Sequence, residues 1–156
     1  MSTRATTANG ATLPARRARG GRLRAVVAAV LAAGAGWTVV EVLGGVDLRA
    51  PAFDGSGAGQ DVGLVAVVLT SLVASLSAWG LLAVLERYLV RARRIWTVLV
   101  LTGFVISLGG PMSGTGIDAT DRALLAVLHL IVAAVLIPLL YRTAAQLDER
   151  GGRNDR

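Results

Sequence analysis

Four long apolar segments, joined by short polar connections, dominate the pattern of this chain. A helix needs about 20 predominantly apolar residues to cross a hydrocarbon core roughly 30 Å thick. The third segment is the shortest, because Gly109, Gly110 and Pro111 interrupt its end, and a re-entrant segment is the alternative there. The pattern predicts four transmembrane helices, over residues 25–46, 62–85, 95–112 and 123–141.

Small residues recur at helical spacing within every predicted span. Apolar side chains gain little by leaving lipid for one another, so membrane helices associate where small residues let their backbones approach closely. We therefore predict one packing face on each helix and an all-α, integral membrane four-helix bundle. The residues that mark these faces are Ala28, Ala32 and Gly36 in the first span, Ser71, Ser75 and Ala78 in the second, Gly103 and Ser107 in the third, and Ala126 and Ala133 in the fourth.

Two ionisable residues lie within the predicted spans, Glu41 in the first and His129 in the fourth. A charge near the bilayer centre costs at least about 2.5 to 3.5 kcal/mol, so such residues usually face the interior of a bundle. Both lie roughly 10 Å from the same end of the spans, at 1.5 Å of rise per residue. We predict that they meet as a structural polar pair. A proton relay or ligand site is the second hypothesis, and no contact, with Glu41 reaching the headgroups, is the third.

Arginine supplies all sixteen basic residues, and its distribution predicts the orientation in the membrane. The two connections that follow the first and third spans carry only Arg49 and Arg122, among five aspartates. Arginine-rich segments stay on the cytoplasmic side by the positive-inside rule. We therefore predict a multi-pass protein of the bacterial plasma membrane with both termini cytoplasmic. The cytoplasmic arginines are Arg4, Arg16, Arg17, Arg19, Arg22, Arg24, Arg87, Arg91, Arg93, Arg94, Arg142, Arg150, Arg153 and Arg156.

The segments outside the spans are short and polar. Residues 1–22 are mainly Thr, Ala, Gly and Arg, which predicts a disordered basic tail whose arginines can contact anionic lipid headgroups. Residues 23–143 form the predicted four-helix domain, residues 144–156 a polar C-terminal tail, and the glycine-rich connection 49–60 is predicted to be flexible. Cleavage of the first span as a signal peptide is an alternative that the length of its apolar run disfavours.

Composition and charge exclude several classes of protein. With 54% apolar and 17% charged residues, the expected solvent is the lipid bilayer. The net charge of +6 does not indicate nucleic-acid binding, because the arginines flank apolar runs and lack interleaved aromatic residues. The absence of cysteine removes thiolate ligands and a cysteine nucleophile. Ser71, Ser75 and Ser77 lack a histidine or lysine base at matched depth, so no catalytic residue is predicted. A metal bound by Glu41 and His129 would need further ligands, which only Asp47, Asp118 and Asp121 at the predicted outer rim could supply, so we predict no metal or cofactor.

Several landmarks occur in order between Arg22 and Thr143. They are Trp37 with Gly45-Val46-Asp47-Leu48, residues 79–87 from Trp to Glu-Arg, Arg93-Arg94-Ile95-Trp96, and Leu128-His129-Leu130 ahead of Pro138. With these landmarks the sequence resembles a family of short actinobacterial membrane proteins, the domain of unknown function 6069. The resemblance implies a four-helix integral membrane protein and implies nothing about activity.

Two functions fit these observations. We expect a non-enzymatic structural or accessory subunit that associates through its helices, either with itself as a homo-oligomer or with a larger membrane protein partner. The alternative is a small transporter or channel component, in which Glu41 and His129 line a polar path.

Overall fold

Four long helices make up the fold in this computed structural model. The structure describes the backbone of residues 12–52, 58–113 and 115–154, and the side chains of residues 19–52, 58–113 and 115–144. Their bounds are α1 Thr12–Thr38, extended by a π-helical turn Val39–Leu43, then α2 Leu64–Tyr88, α3 Ala92–Ser113 and α4 Ala119–Asn154. Each contains a segment long and apolar enough to cross a membrane: Arg19–Leu43, Leu64–Tyr88, Ala92–Ser113 and Ala119–Ala144. The predicted all-α four-helix membrane fold is confirmed.

The helices extend further at both ends of the chain than predicted. α1 begins at Thr12, so the structure differs from the predicted disordered tail from that residue onward; residues 1–11 lie outside the described part. α4 continues to Asn154, through most of the predicted polar tail. Both extensions are rich in residues with good helix propensity, and each continues a helix that is already nucleated, which lowers the free energy of adding further turns.

The third helix is continuous through the segment where an interruption was predicted. α3 includes Gly109, Gly110 and Pro111, and Pro111 is buried. The guanidinium of Arg122, on the first turns of α4, donates hydrogen bonds of 2.8 Å to the carbonyls of Pro111 and Met112. These bonds satisfy carbonyls at the carboxyl end of α3, where the helix leaves them without backbone partners.

The bundle has α1 and α3 on opposite sides of the α2–α4 pair. α1 packs against α2 and α4, α3 packs against the same two helices, and α2 and α4 make little contact with each other. Buried residues concentrate at the two ends. One cluster lies where α2 ends and α3 begins, which we call the arginine end, and contains Ala25, Ala29, Leu82, Trp96, Leu136, Leu140 and Ala144. The other lies where α1 ends and α4 begins, the aspartate end, and contains Leu48, Leu125 and Leu128.

A short antiparallel hairpin closes the aspartate end. Strands β1 Arg49–Ala50 and β2 Gln60–Asp61 pair in the register Arg49 with Asp61 and Ala50 with Gln60. Ala52 donates a backbone hydrogen bond of 3.1 Å to Thr115, in the connection between α3 and α4. The connection predicted to be flexible is therefore ordered at both of its ends, while residues 53–57 lie outside the described part.

Asp121 fixes this hairpin to the bundle, and its removal tests how much the hairpin contributes to stability. Asp121 is 8% exposed, and its Oδ1 accepts a hydrogen bond of 3.2 Å from the Arg49 amide. We expect Asp121→Ala to lower the free energy of unfolding by about 1–3 kcal/mol, because the part-buried hydrogen bond to the Arg49 amide loses its charged acceptor. The matched control is Asp61→Ala, which removes an exposed carboxylate 3.3 Å from the Arg49 side chain and is expected to cost less than about 1 kcal/mol. If unfolding curves in detergent give the same loss of free energy for Asp121→Ala and Asp61→Ala, the Asp121 contact contributes no more to stability than the exposed ion pair.

Candidate functional site

Glu41 lies in the π-helical turn that ends α1, and its side chain stabilises the reversal of the chain that follows. Within this turn the amide of Gly44 bonds to the carbonyl of Val39 at 2.9 Å, and Gly45 has a positive φ of 65°. The carboxylate Oε1 of Glu41 accepts a hydrogen bond of 3.1 Å from the amide of Leu48. One carboxylate thus caps a backbone donor at the aspartate end, where no helical partner is available.

His129 lies on α4 and faces a cavity between the helices. Its Nδ1 is 2.7 Å from the carbonyl oxygen of Leu125 on the same helix. A carbonyl only accepts hydrogen bonds, so Nδ1 carries a proton, and in the neutral ring Nε2 is then an acceptor. Within the described residues His129 makes no other hydrogen bond, which leaves Nε2 available.

Glu41 and His129 do not come together as a hydrogen-bonded or ionic pair within the described residues. Glu41 bonds to the Leu48 amide, and His129 bonds to the Leu125 carbonyl. The geometry therefore gives no support to a proton relay or a polar path through these two side chains. Among the described residues no group of three or more His, Cys, Asp or Glu side chains is arranged to hold a metal ion.

The cavity beside His129, which we call the central cavity, has a volume of about 500 Å³ and lies between α2, α3 and α4. α1 contributes Ala33 to its wall. Most lining side chains are apolar, and small or hydroxyl-bearing residues occur on each of the other three helices: Thr70, Ala74 and Ser77 on α2, Gly103 and Ser107 on α3, and Ala133 beside His129 on α4. The cavity exists because α2 and α4 stand apart and the middle of α3 does not fill the gap between them.

The small residues predicted for packing on α1 occupy the flank that faces α4. A Cβ atom added at Gly36 would lie 2.8 Å from Cδ2 of Leu128, so any larger residue there requires the Leu128 side chain to move. Ala28 and Ala32 are half-buried. The most deeply buried small residues of α1 form the neighbouring row, which was not predicted: Ala25, Ala29 and Ala33.

On α2 the predicted residues Ser71 and Ser75 are both buried, and Ala78 is half-buried. Ser71 donates to the carbonyl of Val68 at 3.1 Å, whereas the Oγ of Ser75 has no hydrogen-bond partner in the part of the chain that the structure describes. The carbonyl of Ala78 accepts a hydrogen bond of 2.9 Å from the indole of Trp96, which joins α2 to α3. This face of α2 therefore lies inside the bundle, where Ser71 and Ala78 also line the central cavity.

The predicted faces of α3 and α4 lie differently. Gly103 and Ser107 are exposed and line the central cavity, and a Cβ at Gly103 would meet nothing within 4 Å. Ala126 and Ala133 are half-buried, and Ala133 lines the cavity too. The small residues of α3 thus border an open space and do not contact a neighbouring helix closely.

A buried ion pair at the arginine end was not predicted. Arg22 on α1 donates two hydrogen bonds from Nη2, of 2.6 and 2.7 Å, to the two carboxylate oxygens of Glu86 on α2. The side chains are 7% and 26% exposed. The sequence analysis predicted that Arg22 lies in a disordered tail. The pair could have been predicted from the order of the spans. Because the spans of α1 and α2 are consecutive and run antiparallel, Arg22 near the start of the first span lies beside Glu86 near the end of the second.

These features define a multi-pass membrane protein built as a four-helix bundle, with an apolar cavity in its middle and polar contacts at both ends. The chain belongs to the family of unknown function DUF6069, whose model matches residues 13–146. No curated protein and no solved structure shows detectable similarity to this chain.

Proposed function

We propose that this protein is a non-enzymatic accessory subunit of the bacterial plasma membrane, which binds a helix of a larger membrane protein. The support comes from one surface on α2, which we call the Gly80 face and which consists of Leu76, Gly80 and Ala83. All three are exposed, and they lie at helical spacing in the second half of α2.

Gly80 carries the proposal because it lies inside the apolar helix α2 and nothing within the described chain uses its missing side chain. Gly109 has the same free space but lies near the end of α3, two residues before Pro111. A Cβ atom added there would meet nothing within 4 Å. Glycine in a helix interior costs about 1 kcal/mol relative to alanine, so its presence here has no explanation in the stability of this chain alone. Glycine on a lipid-facing surface permits close approach of a second helix, and such approach is the main source of association energy between membrane helices.

Two further observations support the accessory role and the membrane. The connections between the spans have twenty residues before α2, three between α2 and α3 and five between α3 and α4, so little chain outside the bilayer is available to form a catalytic domain. Arginine is concentrated in the segments that meet at one end of the bundle, which favours a cytoplasmic location for that end and for both termini. The same arginines are positioned to bind anionic lipid headgroups.

Affinity purification from native membranes in mild detergent tests the association. We expect the wild-type protein to co-purify with a stoichiometric membrane partner, and Gly80→Leu to lose it by tenfold or more, because the larger side chain holds the helices apart. The matched control is Gly109→Leu on α3, which is also exposed with nothing within 4 Å of its Cβ position. It should retain the partner. Recovery of the wild type as a lone monomer would contradict the proposal. Recovery of a homo-oligomer would contradict binding to a larger membrane protein and would show that the partner is a second copy of this chain.

A further inference from the structure

The central cavity contains polar groups that the proposed association does not use. It is separate from the Gly80 face, since none of Leu76, Gly80 and Ala83 lines it. His129 and Ser107 both line it. Ser107 makes no hydrogen bond within the described residues, whereas Thr70, Thr97 and Ser113 each donate to a carbonyl one turn earlier on their own helices. Ser107 is exposed on a membrane-spanning helix, where an unpaired hydroxyl faces hydrocarbon and is costly unless a ligand completes its hydrogen bonds.

The volume and length of the cavity fit a small molecule with a single extended chain. Its volume of about 500 Å³ falls within the range of roughly 300–1,000 Å³ that is usual for small-molecule sites. Its lining on α4 runs from Leu125 to Ile137, which corresponds to about 18 Å along the helix axis. One extended hydrocarbon chain matches this length.

The hydrogen-bond chemistry of His129 defines the polar end of such a molecule. Nδ1 is committed to the Leu125 carbonyl, so the neutral ring offers Nε2 as an acceptor and selects a ligand that donates a hydrogen bond. Ser107, on the neighbouring wall, can donate or accept. His129 lies nearer to the aspartate end of the cavity, and the lining beyond it toward the arginine end is mostly apolar, including Val132, Leu136 and Ile137.

We propose that the central cavity binds a neutral single-chain amphiphile of the long-chain or isoprenoid alcohol class, with its hydroxyl donating to Nε2 of His129 and its hydrocarbon chain extending toward the arginine end. The ligand enters from the bilayer, because the cavity is lined entirely by membrane-spanning helices except for Val62. A charged headgroup is disfavoured, since the described lining includes no Asp, Glu, Lys or Arg.

Photolabelling of the purified full-length protein in nanodiscs tests this site with two probes that differ in one group. The probes are a sixteen-carbon alcohol with a diazirine in its chain and the methyl ether of the same molecule. We expect the alcohol to label cavity residues with a half-saturating concentration about fivefold lower than that of the ether, as one neutral hydrogen bond predicts. His129→Phe should raise the value for the alcohol to that of the ether and leave the ether unchanged.

Filling the cavity provides the second arm. Gly103→Leu places a side chain in open space within the cavity, and it should abolish labelling of the cavity by both probes. Gly109→Leu, on the same helix but outside the cavity, should leave labelling unchanged. Equal affinities of alcohol and ether in the wild type would overturn the alcohol site and leave only an apolar crevice. Labelling that survives Gly103→Leu would overturn the location. Neither result depends on whether the Gly80 face binds a partner.

Discussion

Breaking the Arg22–Glu86 pair is expected to be among the most destabilising single changes in this protein. Glu86→Gln leaves the Arg22 guanidinium, which is 7% exposed, without a counter-charge. Arg22→Gln likewise leaves the Glu86 carboxylate, which is 26% exposed, without a counter-charge. Removing one partner of a buried ion pair typically costs about 3–5 kcal/mol, since the other charge stays desolvated. We expect a loss of that size in the free energy of unfolding, measured by denaturant titration in detergent micelles.

The double variant Arg22→Met with Glu86→Leu separates the cost of an unpaired charge from the value of the pair. Apolar residues of similar volume often replace a buried pair with little loss, so this variant should be close to the wild type and more stable than either single variant. Arg24→Gln, an exposed arginine on the same helix, is the control and should change stability by less than about 0.5 kcal/mol. If the loss in the double variant equals the sum of the two single losses, then the unpaired charge left in each single variant had not been destabilising.

The second large effect is expected at Trp96, which joins α3 to α2 at the arginine end. Its side chain is 0% exposed, and its indole donates to the Ala78 carbonyl at 2.9 Å. Trp96→Ala opens a large cavity in the buried cluster and removes this bond, so we expect a loss of about 3–5 kcal/mol. Trp96→Phe keeps much of the ring and loses the donor, which should cost about 1–2 kcal/mol.

Trp79→Ala is the matched control for Trp96→Ala, because Trp79 is only half-buried on α2. Its loss should be clearly smaller in the same unfolding measurement. Similar losses at Trp79 and Trp96 would mean that burial in the bundle does not determine the contribution of these side chains, and that contacts with lipid contribute as much as contacts with protein.

The fold could be predicted from the sequence because one physical requirement dominates it. A chain in lipid must satisfy its backbone hydrogen bonds internally, so four apolar runs of sufficient length specify four helices with little ambiguity. Packing between the helices was less predictable. Small residues are frequent along α1, and the sequence alone did not show that Ala25, Ala29 and Ala33 would be more buried than Ala28 and Ala32.

The candidate site was harder to predict because counting residues from the predicted ends of the spans does not specify contact. Glu41 and His129 were predicted at similar depths, yet Glu41 lies in the turn that ends α1 and bonds to Leu48. His129 bonds within α4 and lies between Leu128 and Ile131, which contact α1 at the level of Gly36. The π-helical turn that carries Glu41 has no clear sequence signal. The cavity beside His129 depends on the separation of α2 and α4, which local patterns of residues do not encode.

The central claim is that the Gly80 face contacts another membrane protein, and photocrosslinking in native membranes tests it most directly. A diazirine-bearing residue is introduced at Leu76, one turn from Gly80, and separately at Val98, an exposed residue of α3. We predict one discrete protein adduct from Leu76, which disappears when Gly80→Leu is added, and only lipid adducts from Val98. Lipid adducts alone from both positions would contradict the claim.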